Sequence, residues 1–156
     1  MPRAVPTEIR LARAADRAAV EAIVAAAYAP YVARIGRNPA PMDDDYAALI
    51  AAGRVHVLVV EGAVRGLVVL IPRADALFID NVAVAPELRG RGLGRSLLRF
   101  AEAAARRSGL DTIRLCTNEA MTENRALYAR IGFAETGRGE QAGFKRIDMV
   151  KRLAPV

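Results

Sequence analysis

The sequence predicts a mixed α/β (α+β) fold: one mostly antiparallel sheet of about six to seven strands, flanked by helices on both faces. Three strand patterns follow one another in the middle of the chain without an intervening helix, which favours antiparallel pairing. Helix and strand patterns then alternate, so helices must cover the sheet. A length of 156 residues suits one core, and we expect a single domain over residues 1–156.

The first third of the chain is predicted to contain one strand, two helices and a loop. Alternating apolar and polar residues indicate a strand over 7–13. An amphipathic helix follows and should end before Pro30, because proline lacks the amide hydrogen that a helix interior needs. Residues 31–42 contain a glycine and two prolines and are predicted to form an irregular loop. A short helix then begins at the aspartates 43–45 and stops at Gly53.

The remaining elements follow from apolar runs and from their glycine and proline boundaries. The predicted strands lie at 55–60, 67–72, 76–84, 111–118, 133–138 and 144–153. One predicted helix begins near Leu93 and is closed by Ser108 and Gly109, and another runs over 122–132. Strands outnumber helices, as the predicted fold class requires.

Composition excludes several classes of protein. The only cysteine is Cys116 and the only histidine is His56, which excludes an intrachain disulfide, a cysteine cluster and a multi-histidine metal site. Both residues are interpreted as parts of the core. The net charge of +6 raises nucleic acid as a partner, but the arginines are scattered and no recognition motif is present. Nucleic-acid binding is therefore disfavoured, and the charge reflects either compositional drift or an anionic ligand.

Targeting segments are not evident in the sequence. The first twenty residues lack the compact apolar core of a signal peptide, and no uninterrupted apolar run approaches the roughly 18 residues of a membrane span. We therefore expect a cytoplasmic protein that does not bind membranes.

The segment 81–98 is the clearest candidate for a binding site. A strand stops near Pro86, three glycines alternate with arginine and leucine, and a helix begins near Leu93. Glycine lets a ligand approach the backbone, and the free amides of a helix start favour phosphate or pyrophosphate. An ordinary strand-to-helix turn is the alternative. The glycines are Gly90, Gly92 and Gly94, and the neighbouring arginines are Arg89, Arg91 and Arg95.

Two familiar phosphate-binding loops do not match this segment. The dinucleotide pattern G-x-G-x-x-G would require glycine where the chain has Arg95, and the early βαβ context is missing. The nucleoside-triphosphate pattern requires a lysine before serine or threonine, and the loop contains no lysine.

What remains is the pattern R-x-x-G-x-G over 89–94, placed between a "VAV" strand and an amphipathic helix. This pattern resembles the coenzyme A loop of the GNAT superfamily of N-acetyltransferases. The segment "ENRALYARIGF" at 123–133 is similar to the family's asparagine, Leu-Tyr and Gly-Phe segment, and the order of elements over 7–153 is similar to the family fold. Together with "LCTN", the block resembles a branch of small bacterial acetyltransferases.

The resemblance implies acetyl-CoA as donor, coenzyme A as product and a primary amine as acceptor, and the amine would attack the thioester directly in a ternary complex. The pyrophosphate would bind the loop amides, and the pantetheine arm would lie along the preceding strand. An N–H at or near Val84 would then polarise the thioester carbonyl. The cofactor-binding residues implied in this way are Val82, Ala83, Val84, Arg89, Gly90, Arg91, Gly92, Leu93, Gly94, Arg95 and Asn124.

The resemblance also implies catalytic residues. Tyr128 is the candidate general acid, the alternative being a core tyrosine whose hydroxyl is tied to the backbone. Asp80 is the candidate general base, because strand alternation places it on the same face as Val82 and Val84. An ordered water could serve as the base, and Asp80 could instead pair with an arginine. Asn124 would otherwise be a residue of the helix start.

The acceptor side is less defined. Tyr31 and Arg37 are predicted to wall a substrate pocket, and Asn118 is predicted either to orient the substrate or to form a turn. The aspartates 43–45 either cap a helix or attract a cationic substrate. The acceptor, a small-molecule amine or a peptide amine, is left open, as is the choice between monomer and homodimer. A non-catalytic acyl-CoA-binding or sensing module is the alternative function.

Overall fold

The computed structural model describes residues 7–155. Within them, seven strands form one sheet and four α-helices pack against it. The strands are β1 Thr7–Leu11, β2 Val55–Val60, β3 Ala63–Pro72, β4 Leu77–Val84, β5 Thr112–Asn118, β6 Ala134–Gln141 and β7 Phe144–Arg152. The helices are α1 Arg17–Ile35, α2 Tyr46–Ala51, α3 Leu93–Arg107 and α4 Thr122–Ile131.

The strand order is β1-β2-β3-β4-β5-β7-β6, and every neighbouring pair is antiparallel except β4 and β5. The parallel pairing of β4 with β5 is short: it joins only Leu77–Ile79 to Ile113–Leu115. Both strands then continue without pairing to each other, β4 to Val84 and β5 to Asn118. The sheet is therefore open between β4 and β5 at one end. The mostly antiparallel pairing confirms the predicted α+β class.

Two apolar clusters hold the layers together, one on each face of the sheet. On the first face, α1 and α2 pack against alternate residues of β2 and β3, such as Val57 and Leu67. On the second face, α3 and α4 cover residues such as Val68 and Ile113, with Leu97 fully buried between them. Burying apolar surface on both faces is the main stabilising contribution to this three-layer arrangement.

The predicted end of the first helix at Pro30 is wrong, because α1 continues through the proline to Ile35. The residue after the proline, Tyr31, is only 6% exposed, so its packing keeps the last turns in place despite one lost backbone hydrogen bond. The helix ends at Gly36, whose φ of 88° closes the last turn through an N–H bond to the Val32 carbonyl. The predicted irregular loop at 31–42 is thus shortened and includes a 3₁₀ turn, Ala40–Asp43.

Other strand boundaries differ by a few residues from the predicted ones. β1 stops at Leu11 rather than 13, and β6 extends to Gln141. β3 begins at Ala63 because the turn before it needs only two residues, Glu61 and Gly62, both with positive φ. In each case the ladder of hydrogen bonds sets the boundary, which the apolar pattern alone does not define.

The segment that includes α1 qualifies as a membrane span by length and composition, contrary to the expectation from uninterrupted apolar runs. The segment runs over Ala14–Ile35, and one third of its most apolar window is buried within the protein. Val20, Ile23 and Val24 pack against the sheet. The inner face of α1 is thus part of the core, whereas many of its exposed residues are alanines.

Replacing Pro30 tests the account of α1. Pro30→Ala should raise stability by about 1–3 kcal/mol, since it supplies the missing amide hydrogen and removes the ring from the helix interior. Pro30→Gly restores the same hydrogen but not the helix propensity, so it should fall between Pro30→Ala and the native chain. Thermal and urea unfolding measure both variants. A less stable Pro30→Ala would show that the ring itself contributes to packing.

Candidate active site

A cavity of about 110 Å³ occupies the opening between β4 and β5. Its walls come from both strands, from the loop before α2, from α4 and from the start of β7. The polar and charged side chains on these walls are Tyr28, Asp44, Asp80, Asn81, Cys116, Thr117, Asn118, Asn124, Tyr128 and Arg146. The site therefore lies where the sheet lacks pairing.

A β-bulge on β4 redirects one of these side chains. In the pairing with β3, Val69 is opposite Asn81 but Leu70 is opposite Ile79, so Asp80 is the extra residue. The bulge shifts the alternation of side chains along β4. Val82 joins the cluster under α3, whereas Asp80 lies beside Asp44 on the other face. The prediction that Asp80 shares a face with Val82 and Val84 is therefore wrong, since it assumed an unbroken strand.

A chain of buried hydrogen bonds fixes the bulge in place. The hydroxyl of Tyr28 on α1 donates to Asn81, and the amide of Asn81 donates to the hydroxyl of Tyr46 at 2.9 Å. Tyr46, the first residue of α2, donates in turn to the Pro41 carbonyl at 2.5 Å. All three side chains are buried, and burial raises the pKa of both tyrosines, so the hydroxyls stay protonated.

Asp44 and Asp80 form a carboxyl pair on the cavity wall. Burial, together with the hydrogen bond and negative charge of Asp80, raises the pKa of Asp44 to about 7. Asp45 has a different role: its side chain accepts a hydrogen bond from the Ala48 N–H at 3.1 Å and caps α2. The capping interpretation of residues 43–45 is therefore confirmed for Asp45, whereas Asp44 lines the cavity and its attraction for a cationic substrate stays a prediction.

Tyr128 presents an unpartnered hydroxyl to the same cavity. Its side chain is only 6% exposed and its ring packs edge-on against Phe133, with the centroids 5.8 Å apart. Among residues 7–155 no group hydrogen-bonds to this hydroxyl, so the alternative of a backbone-tied tyrosine is not observed. Burial raises the pKa of Tyr128, which keeps its proton available for donation at neutral pH.

The glycine loop leads directly from β4 into α3. Gly90 and Gly92 have φ values of 81° and 76°, which other residues rarely adopt, and Gly92 is the N-cap of the helix. No side chain caps α3, and the first helical hydrogen bond in this turn joins the Ser96 N–H to the Gly92 carbonyl. The amides of the first turn therefore remain available to an anion, supported by the helix dipole.

The arginines of the loop are not equivalent. Arg91 and Arg95 are exposed and lie within the loop and the first turn of α3. Arg89 instead donates to the Ala27 carbonyl of α1 at 3.1 Å, which ties the loop to that helix. The predicted cofactor residues of the loop and those of the strand are therefore placed differently. Among the strand residues, Val82 lines the cavity and Ala83 is buried.

The predicted substrate residues are only partly brought to the cavity. Tyr31 is buried and donates to Glu123 at 3.2 Å, and Arg37 stacks on the Phe144 ring, 3.6 Å from its centroid. Neither contributes to the cavity wall. Asn118 lines the cavity, but its Oδ1 also accepts a hydrogen bond from the Ala120 N–H at 2.9 Å, so the predicted turn is present.

The sequence did not indicate that Arg146 and Cys116 line the cavity. Arg146 on β7 reaches over β5, and its Nε donates to the Cys116 sulfur at 2.9 Å. Cys116 is half-buried in the cavity wall rather than in the core, and burial raises the pKa of its thiol. Only the pairing of β5 with β7 brings these residues together, and no short-range sequence pattern encodes that pairing.

Comparison with known proteins identifies the family. Residues 20–133 match the model of the acetyltransferase (GNAT) family, and the chain belongs to this family. A relative with a named activity is the 5-NmdU N-acetyltransferase of Pseudomonas phage PaMx11, which is 34% identical over 101 residues. That match covers 64% of this chain and 69% of the relative.

Solved structures agree with this assignment at the level of the fold. PaiA N-acetyltransferase from Thermoplasma acidophilum, in complex with coenzyme A, superposes with a TM-score of 0.81 at 15% identity, covering 94% of this chain and 99% of that one. The ribosomal-protein-S18-alanine N-acetyltransferase from Escherichia coli gives 0.76 at 20% identity, covering 97% and 96%. The chain is thus an acetyl-CoA-dependent acyltransferase.

The residues present fit acetyl-CoA. The uncapped first turn of α3 offers amide donors, and a Cβ added at Gly90 or Gly92 would project into open space, so the backbone there is accessible. The unpaired part of β4 leads from this turn to the cavity that holds Tyr128. A phosphate-bearing thioester could be held at one end and reach the cavity at the other.

The carboxyl pair predicts an unusual dependence of stability on pH. Because the folded pKa of Asp44, about 7, exceeds the ordinary value of 3.8, the folded chain holds the extra proton between these pH values. The stabilisation that the protonated Asp44 gives to the folded chain is complete below about pH 4 and is lost as the pH rises through 7. Asp44→Asn should therefore be more stable than the native chain at pH 8, by about 1 kcal/mol after solvent screening, and nearly equal at pH 4.

Asp43→Asn is the comparison variant, since Asp43 is exposed and makes only the smallest contribution to the raised pKa of Asp44, so the pH dependence should change far less than in Asp44→Asn. Thermal unfolding of the three proteins at pH 4, 6 and 8 measures the effect. A stability difference between Asp44→Asn and the native chain that does not change with pH would contradict the shared proton.

Proposed function

We propose that this chain is an N-acetyltransferase that moves the acetyl group of acetyl-CoA to a primary amine, which attacks the thioester directly in a ternary complex. The observation that carries the proposal is the single cavity that joins a carboxyl pair to the Tyr128 hydroxyl beside the glycine loop. The relative named 5-NmdU N-acetyltransferase supports an amine as acceptor. We infer one catalytic domain over residues 1–156, and a cytoplasmic location fits the use of acetyl-CoA.

The donor half of the site would be formed mainly by the backbone. The first-turn amides of α3, from Leu93 to Arg95, would bind the pyrophosphate, assisted by the exposed charges of Arg91 and Arg95. The unpaired edge of β4 would align the pantetheine arm, with Asn124 on the opposite wall. The bound cofactor supplies an activated acetyl group, and an N–H near Val84 would stabilise negative charge on its carbonyl oxygen.

The acceptor half would remove a proton from the incoming ammonium. The Asp44–Asp80 pair carries negative charge above neutral pH and lies in a partly desolvated wall, so it favours a cation. Asp80 would accept the proton directly or through a water, which leaves a neutral amine to form the new C–N bond. Asp44 would act as a positioning residue that holds Asp80 through their hydrogen bond.

The leaving thiolate would receive a proton from Tyr128. As the C–S bond breaks, negative charge develops on sulfur, and a nearby hydroxyl that is protonated at neutral pH can neutralise it. The hydroxyl of Tyr128 is unpartnered among residues 7–155 and faces the cavity, which suits this role. The proton balance requires a second loss from nitrogen: after the C–N bond forms, the nitrogen gives up its remaining extra proton, and Tyr128 regains the one that it donated. In total two protons leave the ammonium, of which one reaches solvent through Asp80 and one ends on coenzyme A.

The donor half is tested by changing the charge at Gly94. A Cβ at Gly94 would meet only the Leu127 side chain, at 3.8 Å, so larger residues are accommodated. Gly94→Glu places a negative charge in the first turn of α3, which suits the helix but should weaken acetyl-CoA binding about tenfold or more. Gly94→Gln has the same size without the charge and should bind within about threefold of the native chain.

Isothermal titration with acetyl-CoA measures this difference between Gly94→Glu and Gly94→Gln. High salt should narrow it, since screening reduces the repulsion between the charges. Equal affinities of the two variants would place the pyrophosphate elsewhere.

The acid role is tested with Tyr128→Phe, which keeps the ring that packs on Phe133. We expect kcat for acetyl transfer to fall on the order of 100-fold, while the affinity for acetyl-CoA changes little. Thiol release across a panel of primary amines measures turnover, and titration measures binding. Unchanged turnover would remove Tyr128 from the mechanism, and a lack of thiol release by the native chain with every amine would contradict the proposed function.

A further inference from the structure

Arg146 is the only cationic side chain among the described residues that line the cavity. Two neighbours fix its guanidinium: Nε donates to the Cys116 sulfur at 2.9 Å, and Nη1 donates to Gln141. The second terminal nitrogen, Nη2, has no protein partner within residues 7–155. A positive group is thus held in a defined orientation on the cavity wall with one donor nitrogen to spare.

Other arginines within residues 7–155 form ion pairs with glutamates, unlike Arg146. Arg34 pairs with Glu123 at 2.9 Å, Arg125 pairs with Glu135 at 2.8 Å, and Arg138 contacts Glu135 at 3.2 Å. Within the described part of the chain, Arg146 forms no such pair. Asp148, two residues further along β7, also forms no ion pair with Arg146 within the described residues. A fixed guanidinium without a carboxylate partner, in a partly desolvated wall, is suited to bind an anion.

The cavity therefore has two oppositely charged walls. Asp80 lies on β4 just past the last residue that pairs with β5, and Asp44 faces it from the loop before α2. Arg146 lies across the opening, opposite Asn118 in the pairing of β5 with β7. A ligand that spans this opening meets negative charge on one side and positive charge on the other.

We propose that the acceptor is a primary amine that also carries an anionic group, a carboxylate or a phosphate, and that Arg146 is the specificity-determining residue that binds this anion. The ammonium points toward Asp44 and Asp80 while the anion lies on the guanidinium. This inference rests on the proposed function, because it assigns the acceptor of the same reaction.

A second cavity provides room for a larger acceptor. It has a volume of about 480 Å³ and shares Asn118 and Phe144 with the first. Lys145 lines it and forms no ion pair within residues 7–155. An acceptor larger than the inner cavity extends past Asn118 into this space, whose charged lining residues are Arg34, Glu119 and Lys145. Binding of the acceptor's anionic group by Arg146 therefore does not limit the length of the acceptor.

Two pairs of matched amines test the proposal. O-Phosphoethanolamine is compared with ethanolamine, and 4-aminobutyrate with 4-aminobutanol, by thiol release at saturating acetyl-CoA. In at least one pair we expect the anionic member to have kcat/KM about tenfold or more above the neutral one, mainly through KM. The pair with the larger preference identifies phosphate or carboxylate as the anion. Arg146→Gln should reduce the preference to less than about threefold, and Arg146→Lys should restore part of it.

Arg152→Gln is the matched control, because Arg152 is an exposed arginine on the same strand and lies outside the cavity. Its preference should equal that of the native chain. Acetyl-CoA affinity and melting temperature should remain unchanged in all three variants, which separates loss of recognition from loss of folding.

The outcomes that overturn the inference are distinct from those that overturn the proposed function. Turnover of the neutral members as fast as the anionic ones, or a preference that survives Arg146→Gln, contradicts the role of Arg146 alone. Absence of turnover with all four amines, and with the broader amine panel, contradicts the acetyltransferase proposal and this inference with it.

Discussion

The short pairing of β4 with β5 is the constraint on which the site depends. A regular parallel pair would satisfy the backbone of both strands along their length, and no cavity would form between them. Here only three residues of each strand pair, Leu77–Ile79 with Ile113–Leu115. The unpaired remainder supplies both a wall for the cavity and a free strand edge. The apolar layers on either face keep the sheet together while its middle stays open.

Polar side chains stabilise the opening where main-chain pairing stops. The bulge at Asp80 would leave β4 poorly anchored, but Asn81 links Tyr28 of α1 to Tyr46 of α2. A fully satisfied buried network of this kind favours one geometry, since an unpaired member would be costly in a desolvated setting. The carboxyl pair is the opposite case, because its burial and mutual repulsion raise the pKa of Asp44 and reduce stability at high pH. Such strain is common where a site must bind charge.

Local sequence patterns predicted what local physics determines. The glycine loop, the order of elements and Tyr128 could be identified because turn residues, periodicity and short motifs are encoded within a few positions. Tertiary contacts decided the rest. The packing of Tyr31 carries α1 past Pro30, the bulge reverses the side of Asp80, and strand pairing brings Arg146 to Cys116. None of these depends on neighbouring residues in the chain, so a single sequence gives no signal for them.

Two adjacent residues of α1 contact both halves of the site. The Ala27 carbonyl accepts the hydrogen bond from Arg89 of the glycine loop, and the next residue, Tyr28, holds Asn81 beside the bulge. One turn of α1 therefore anchors both the glycine loop and the residue beside the bulge. If a ligand on the loop displaces this turn, it also alters the other half of the site, and the two ligand affinities are then coupled by the same factor in both directions.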